Sequence, residues 1–206
     1  MASLSLTCPS CSAPLQIENR FTKVVICQYC GQTSNVTPSG LDPTGEKAVL
    51  ADFPSILSIG AEGTIDSVPF KVLGRLRYKY DEGFWDEWFL QYSNGQKVWL
   101  QEDEGTFVAF AKESITSAIP EFGAIKVGST IEVNQKQVFI VEKNEALIAG
   151  GEGELQFRIH PGETVDYVDG NSGGKVVSIE FAPDEIALSI GEQIPLSRIK
   201  VTSGAV

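Results

Sequence analysis

The chain has 206 residues and a mass of 22.3 kDa, which corresponds to one or two domains. Hydrophobic residues make up 42% and charged residues 21%, so a packed core is expected and wholesale disorder is excluded. Lys and Arg number 16 against 27 Asp and Glu, which gives a formal net charge of −11. This charge argues against non-specific binding to nucleic acid or to an anionic membrane, because both require basic surface.

The N-terminal residues are not expected to form a targeting signal. They contain neither a basic region nor an apolar stretch of signal-peptide length, and no window approaches the ~18 apolar residues of a membrane-spanning helix. We therefore expect a soluble, cytoplasmic protein that is not an integral membrane protein. All four cysteines lie within the first 30 residues. In a reducing compartment, that clustering favours metal ligation over disulfide formation.

Two C-x-x-C pairs, Cys8–Cys11 and Cys27–Cys30, are separated by fifteen residues. Each pair can place two thiolates on one ion, and the intervening runs Pro14–Ile17 and Phe21–Ile26 are predicted to form a β-hairpin that joins the pairs. The spacing is typical of structural zinc. We predict a zinc ribbon over residues 1–35, with Zn²⁺ held by Cys8, Cys11, Cys27 and Cys30. Iron ligation and a dithiol redox centre stay open as alternatives.

Residues 36–49 are rich in Pro, Gly, Ser and Thr, lack apolar periodicity and are predicted to be a linker. From residue 50 to residue 202 the pattern is almost entirely one of short strands with period-2 alternation. Asn94-Gly95, between two apolar-rich runs, is a strong hairpin signal. Only Lys112–Ala118 has a helical pattern. The fold class is therefore expected to be mainly β.

Two stretches of the β region repeat one another. The run Ser58-Ile59-Gly60 is echoed by Lys126-Val127-Gly128, and a second echo relates Glu87-Trp88 to Glu154-Leu155. We predict a duplicated antiparallel β-meander, with halves at about 54–112 and 122–202. Two small meanders bury little core alone, so we expect them to pack face to face as a sandwich or barrel.

The most distinctive stretch joins basic, acidic and aromatic residues, and it contains Trp85, Asp86, Glu87 and Trp88. Asp86 and Glu87 are adjacent carboxylates, but neighbours in a strand point to opposite faces, so they would not act together on one substrate. One interpretation is a binding site for a cation, through cation–π contact and charge. The other is structural: the tryptophans anchor the core, and Glu87 pairs with Arg75 or Arg77 on the adjoining strand.

The remaining candidate residues point to no reaction. His160 is the only histidine, and no phosphate loop, nucleophile elbow or zinc-protease motif occurs. Asp166, Asp169 and Glu180, like the run 102–104, do not follow the spacing of a calcium loop, and we expect them to form a solvated acidic face. No catalytic residue is predicted, and the chain is not expected to be an enzyme.

Several runs together resemble the bacterial family catalogued as domain of unknown function 4178. The resemblance extends over roughly residues 54–200 and rests on Leu57–Gly60, Phe70–Tyr78, Trp85–Leu90, Gly95, Trp99-Leu100, Glu152–Leu155 and Asp166–Asp169. Members of that family often carry an N-terminal zinc ribbon, and their genes tend to lie near membrane-stress proteins. The resemblance implies a bacterial cytoplasmic protein, but no established activity and no catalytic residues.

The function expected from these observations is that of a non-enzymatic, zinc-binding adaptor in a bacterial membrane-stress system. Its partner would be a protein, and nucleic acid is not expected. The alternative is a domain that binds or senses a small cationic metabolite, such as a polyamine, at Trp85, Asp86, Glu87 and Trp88. An enzyme is a third possibility, for which the sequence names neither a nucleophile nor a base.

Overall fold

The computed structural model describes residues 4–51, 53–81, 83–182 and 185–203. Over these ranges the chain forms sixteen β-strands and two short 3₁₀ turns, Phe122–Ala124 and Leu196–Arg198, and contains no α-helix. The predicted mainly β fold class is confirmed. No helix within these ranges is long and apolar enough to cross a membrane.

The N-terminal part forms one two-stranded sheet and adds three strands to the large sheet, and it does not form the predicted hairpin. Its strands are β1 (Leu4–Thr7), β2 (Pro14–Ile17), β3 (Val24–Ile26), β4 (Gln32–Thr37) and β5 (Gly40–Lys47). Strand β2 pairs with β1, whereas β3 pairs with β4. The predicted pairing of Pro14–Ile17 with Phe21–Ile26 is wrong. Residues 18–22 between them form a loop that is hydrogen-bonded to Glu154, much later in the chain.

The segment predicted to be a linker has regular structure. Strand β5 pairs antiparallel with β4, for example Leu41 with Val36. Apolar periodicity is missing because β5 is the last strand of its sheet and most of its side chains are exposed. Pro43 is tolerated there, since an edge strand needs no N–H donor on its free side. The domain boundaries at residues 35 and 50 stay predictions.

Two five-stranded meanders follow. The first contains β6 (Glu62–Ile65), β7 (Val68–Tyr80), β8 (Gly83–Tyr92), β9 (Lys97–Asp103) and β10 (Thr106–Glu113). The second contains β11 (Thr130–Val133), β12 (Lys136–Leu155), β13 (Thr164–Ser172), β14 (Lys175–Phe181) and β15 (Ile186–Gln193), and a last strand, β16 (Ile199–Ser203), pairs with β6. The predicted hairpin turn at Asn94-Gly95 lies between β8 and β9, with Gly95 at φ 85°.

The predicted helix at Lys112–Ala118 is wrong. Strand β10 continues to Glu113, and Lys112 lies opposite Ser189 of β15. Residues 114–121 have no regular structure. Pairing with a neighbouring strand overrides the local helical preference of this segment.

The two meanders close into one eight-stranded antiparallel barrel. Its strand order is β7-β8-β9-β10-β15-β14-β13-β12, and β12 returns to pair with β7. The second strands of the two copies, β7 and β12, are therefore neighbours at one seam, and the last strands, β10 and β15, are neighbours at the other. Of the two predicted packings, the closed barrel is the one observed.

The predicted repeat is confirmed where the meanders begin. The Gly60 N–H donates to the Val72 carbonyl, and the Gly128 N–H donates to the Ile140 carbonyl, both at 2.9 Å. A register shift follows Val72 in β7 and Ile140 in β12. The two copies thus share the same turn, the same pairing and the same irregularity.

The second predicted echo, between Glu87 and Glu154, is wrong. Glu87 lies in β8, whereas Glu154 lies near the end of β12, which is the counterpart of β7. Similar short sequences therefore occur at different places in the two copies.

Alternation along the strands divides the core into separate clusters. One cluster lies in the barrel and extends to β3, joining Val24 and Ile26 to Leu76 and Leu155. A second cluster packs on the opposite face of the first meander, and a third on the opposite face of the second. The N-terminal part therefore shares a core with the barrel.

Candidate functional site

The four cysteines meet at one point. The Sγ atoms of Cys8 and Cys30 are 3.7 Å apart, as are those of Cys11 and Cys27, and all four lie within 4.8 Å of one another without a disulfide. A Zn–S bond of about 2.3 Å implies a tetrahedron with edges of about 3.8 Å, which these distances match. The cluster can therefore bind a metal ion, and the predicted convergence of the two pairs is confirmed.

Each cysteine pair lies in the same kind of turn. The Ser12 N–H donates to the Cys8 carbonyl at 2.9 Å, and the Gly31 N–H donates to the Cys27 carbonyl at 2.8 Å. Ser12 and Gly31 both have positive φ, 64° and 71°. Because Ser12 follows Cys11 directly, as Gly31 follows Cys30, the two halves of the site have matching backbones.

The thiols of Cys27 and Cys30 differ in their pKa. Burial raises the pKa of Cys27 to about 12, whereas a hydrogen bond from the Gln32 backbone lowers the pKa of Cys30 to about 7. A cation at the centre of the cluster would favour the thiolate form of every ligand.

One buried carboxylate attaches the ribbon to the barrel. Glu154 accepts hydrogen bonds from the Glu18 N–H at 2.7 Å, the Asn19 N–H at 3.0 Å and the Thr22 hydroxyl at 2.6 Å. The adjacent Leu155 carbonyl accepts from the Lys23 N–H at 2.9 Å. The ribbon loop is thus held by the end of β12, a role for which the sequence offered no signal.

The interior of the barrel is lined by aromatic and polar side chains. The first meander contributes Trp85, Trp99 and Phe110 to its lining, and the second contributes Asp169, Ser178 and Glu180. Glu87 of the first meander also faces inward, with Trp85 Nε1–H donating to its carboxylate at 3.4 Å. The free volume is about 40 Å³, which is room for roughly two or three water molecules.

The interior carboxyl groups resist ionisation. Burial raises the pKa of Glu87 to about 8, and the charge of Glu180 adds to the effect. Burial also raises the pKa of Asp169, to about 7, and that of Glu180. The charge of Lys112 acts in the opposite direction on Glu87 and Glu180. The interior therefore holds protons at pH values where ordinary carboxyl groups are ionised.

A larger cavity of about 300 Å³ adjoins this interior and shares Trp85, Gln101, Tyr167 and Asp169 with it. Its remaining lining residues are Tyr80, Asp103 and Glu142. We call the carboxyl groups of Asp103, Glu142 and Asp169, with the rings of Trp85 and Tyr167, the acidic well.

The acidic well has unsatisfied acceptors. The Oδ1 atoms of Asp103 and Asp169 are buried and accept no hydrogen bond, whereas Glu142 accepts one from the Tyr167 hydroxyl. Burial raises the pKa of Asp103, and the charges of Glu104 and Glu142 raise it further. Buried acceptors without donors are uncommon in native proteins, so a donor group that reached these oxygens would satisfy them.

The carboxyl groups of the well are too widely spaced to share one metal ion. Among the described residues, only the four cysteines bring three or more ligand atoms of His, Cys, Asp or Glu within 4.8 Å of one another. The chemistry of the well therefore suits an organic cation, with aromatic faces beside it, better than a single coordinated ion.

The four residues predicted to form a ligand or partner site lie on two faces of β8. Trp85 and Glu87 line the barrel interior. Asp86 lies on the other face, where the Arg77 Nε–H and NH2 groups donate to it at 2.8 and 2.7 Å. Trp88 is buried there too, in the outer cluster of the first meander. The predicted ion pair of Glu87 with an arginine is wrong, because Asp86 accepts those bonds instead.

The prediction that Asp169 and Glu180 belong to a solvated acidic face is also wrong. Val168 and Ile179, their neighbours in β13 and β14, are buried in the outer cluster of the second meander. Alternation then turns Asp169 and Glu180 into the barrel. Alternation in the sequence places both carboxyl groups on the face opposite Val168 and Ile179, but it does not identify that face as the barrel interior.

No curated protein and no solved structure matches the chain. A family profile described as a domain of unknown function, DUF4178, matches residues 58–196, which include the whole barrel. The match begins at the turn of Gly60, which recurs at Gly128, and ends after β15. The chain therefore belongs to the DUF4178 family, carrying an N-terminal cysteine cluster in front of the family domain.

Proposed function

We propose that the protein is a non-catalytic binding protein whose barrel takes up a small organic cation at the acidic well. The observation that carries the proposal is the pair of buried, unpartnered oxygens on Asp103 and Asp169 beside aromatic rings. An ammonium group would donate to these oxygens and contact the face of Trp85. We propose zinc as the metal of the cysteine cluster, with a structural role.

The size of the well and the spacing of its charges restrict the ligand. A cavity of about 300 Å³ lies at the lower end of the range for small-molecule sites. Three separate carboxyl groups suit a ligand with more than one amine, such as a polyamine. The narrow interior beyond Asp169 has room for little more than an alkyl chain in its present form.

A titration with spermidine, followed by tryptophan fluorescence, tests this function. Asp169→Asn removes a charge from the well. The control, Asp166→Asn, makes the same change earlier on the same strand, on the face that Val168 shares. We expect a loss of affinity of roughly tenfold or more for the first variant and little change for the second. No response at millimolar spermidine, or equal affinities in the two variants, contradicts the proposal.

A second candidate function is that of an adaptor, acting in a bacterial membrane-stress system, whose ribbon contacts a protein. The observation that favours it is the exposure of two aromatic side chains on the ribbon, Phe21 at 54% and Tyr29 at 64%. Aromatic residues are enriched at the centres of protein interfaces. Capture of one partner by the metal-loaded protein, and its loss with Cys27→Ser/Cys30→Ser, would support this role.

A further inference from the structure

Two cations flank one exposed aromatic ring where the ribbon meets the barrel. The guanidinium carbon of Arg20 is 4.5 Å from the centroid of the Phe21 ring, and Lys97 Nζ is 4.6 Å from the same centroid. Arg20 and Phe21 belong to the ribbon loop, whereas Lys97 begins β9. We call these three side chains the basic–aromatic surface. It exists only when the ribbon is seated on the barrel.

Hydrogen bonds anchor the loop that carries Arg20 and Phe21 of the basic–aromatic surface. The Phe21 N–H donates to the Asn19 side-chain carbonyl at 3.0 Å, and the Asn19 N–H donates to Glu154 at 3.0 Å. Thr22, on the other side of Phe21, is buried and bonded to the same carboxylate. The backbone on both sides of Phe21 is therefore anchored, so the exposure of the ring is imposed by the fold and not by a loose loop.

The two cations lack a counter-ion. Every described ion pair of the chain involves other basic residues, and neither Arg20 nor Lys97 has a carboxylate partner among the described residues. Burial and the charge of Arg20 lower the pKa of Lys97. Like charges held close together repel each other. An anionic segment bound beside the ring would offset this repulsion by pairing with the two cations.

We propose that the basic–aromatic surface docks an acidic segment of a partner protein, whose carboxylates pair with Arg20 and Lys97 and whose apolar side chain contacts the exposed part of Phe21. The inference rests on the adaptor candidate and gives it a location and a partner chemistry. Arginine binds carboxylates through two parallel hydrogen bonds, and arginine and phenylalanine are both enriched at the centres of interfaces.

The charge of the whole chain decides between a protein and a nucleic acid as the occupant. A nucleic acid presents a phosphate at every nucleotide, so its affinity depends on many cations in a row. This chain has a net charge of −11, and the surface offers only two cations. Phosphates beyond the first one or two would find no further cation of the basic–aromatic surface, whereas a short acidic segment needs none.

The test is a titration of the metal-loaded full chain with a capped decaglutamate peptide, followed by backbone amide NMR shifts. Shifts are expected at Arg20, Phe21 and Lys97, with none from a decaglutamine control. Arg20→Gln and Lys97→Gln should each weaken binding by roughly tenfold. The matched control Lys126→Gln removes the same charge from the turn before β11 and should leave the affinity unchanged.

Each outcome decides a different point. Absence of binding, or equal affinity in Arg20→Gln and Lys126→Gln, overturns the proposal. If a single-stranded DNA oligonucleotide binds the same residues more tightly than the peptide does, the occupant is a nucleic acid and the proposal is overturned as well. If the peptide shifts Tyr29 but not Phe21, the adaptor candidate survives and the location is wrong. The spermidine response of the acidic well is measured separately and does not depend on these results.

Discussion

The carboxylate of Glu154 accepts a 2.6 Å hydrogen bond from the hydroxyl of Thr22, 132 residues earlier in the chain. Both side chains are buried, and the same carboxylate accepts two backbone N–H groups of the ribbon loop. This contact joins the ribbon, which carries the cysteine cluster, to the family domain. It lies at the end of β12, beside the pairing of Val24 with Leu155, so the ribbon is a continuation of the barrel wall.

Replacement of this carboxylate should loosen the ribbon. Glu154→Gln keeps one acceptor oxygen but puts an N–H₂ group against N–H donors, so we expect the free energy of unfolding to fall by about 1.5–3 kcal/mol. Urea denaturation measures the change. Glu145→Gln, at an exposed position of the same strand, is the control and should stay within ~0.5 kcal/mol of the parent chain. Equal stabilities of the two variants would show that the contact has no energetic role.

Metal removal should destabilise more than the ribbon. Val24 and Ile26 of the ribbon pack in the same cluster as Leu76 of the barrel, so loss of the metal exposes a face of the barrel core. We expect a strong chelator, or Cys27→Ser, to lower the melting temperature of the whole protein in a single transition. Elemental analysis should give one zinc per chain. A barrel that melts at the same temperature without metal would show that the two parts are energetically independent.

The interior carboxyl groups make stability depend on pH. Glu87 has a pKa of about 8 in the folded protein against an ordinary value of 4.5, so between these values the folded state binds more protons than the unfolded chain. Stability is greatest below the lower value and falls as the pH rises through the upper one. Asp169, with a pKa of about 7, acts in the same direction.

Glu87→Gln should remove part of this dependence, because the neutral amide does not ionise. Unfolding by urea at several pH values between about 5 and about 9 measures the slope for both proteins. The variant is expected to have the shallower slope and to gain relative stability at alkaline pH. Parallel curves would mean that Glu87 ionises normally in the folded state.

The sequence predicts local features of this fold well and burial of polar groups poorly. Cysteine spacing is enough to bring Cys8 close to Cys11 and Cys27 close to Cys30, because each pair needs only its own turn. Alternation assigns Trp85 and Asp86 to opposite faces, but it does not say which face is the interior when both are covered. Both faces of β13 are buried at Val168 and Tyr167, and this is why Asp169 was expected in solvent.

Long-range contacts explain the remaining differences. Glu154 anchors the ribbon only because residues 18–22 fold back against it. Thr22 and Glu154 are 132 residues apart, so no local sequence pattern predicts this contact. Strand β5 escaped detection because its side chains are mostly exposed and contribute no apolar pattern. Closure of the barrel depends on a seam between β7 and β12, which neither meander contains by itself.

Ligand binding should be reported by Trp85 and not by Trp88. Trp85 lines both the interior and the acidic well, and it stacks on Tyr78 with centroids 5.0 Å apart. Trp88 lies on the opposite face of β8 and donates to Glu102 at 2.8 Å. We expect Trp85→Phe to abolish the fluorescence response to spermidine. A response that disappears with Trp88→Phe and persists with Trp85→Phe would place the ligand outside the barrel.

Closure of the barrel depends on two glycines that face each other across the seam, Gly74 of β7 and Gly153 of β12. A Cβ at Gly74 would lie 2.1 Å from the Glu154 carbonyl oxygen, a distance that only movement of the backbone can relieve. We therefore expect Gly74→Ala to destabilise the protein by about 1–3 kcal/mol. Because the displaced residue is Glu154, the variant should also weaken the hold on the ribbon loop.

The matched control is Gly123→Ala, where an added Cβ meets no atom within 4 Å and φ is not positive. This variant should change the free energy of unfolding by less than ~0.5 kcal/mol. Hydrogen exchange at Asn19 and Thr22 measures the second effect, because their amides lie in the loop that Glu154 binds. If Gly74→Ala is as stable as Gly123→Ala, the two strands do not need this close approach. If the loop amides also exchange no faster, barrel closure and the seating of the ribbon are not coupled.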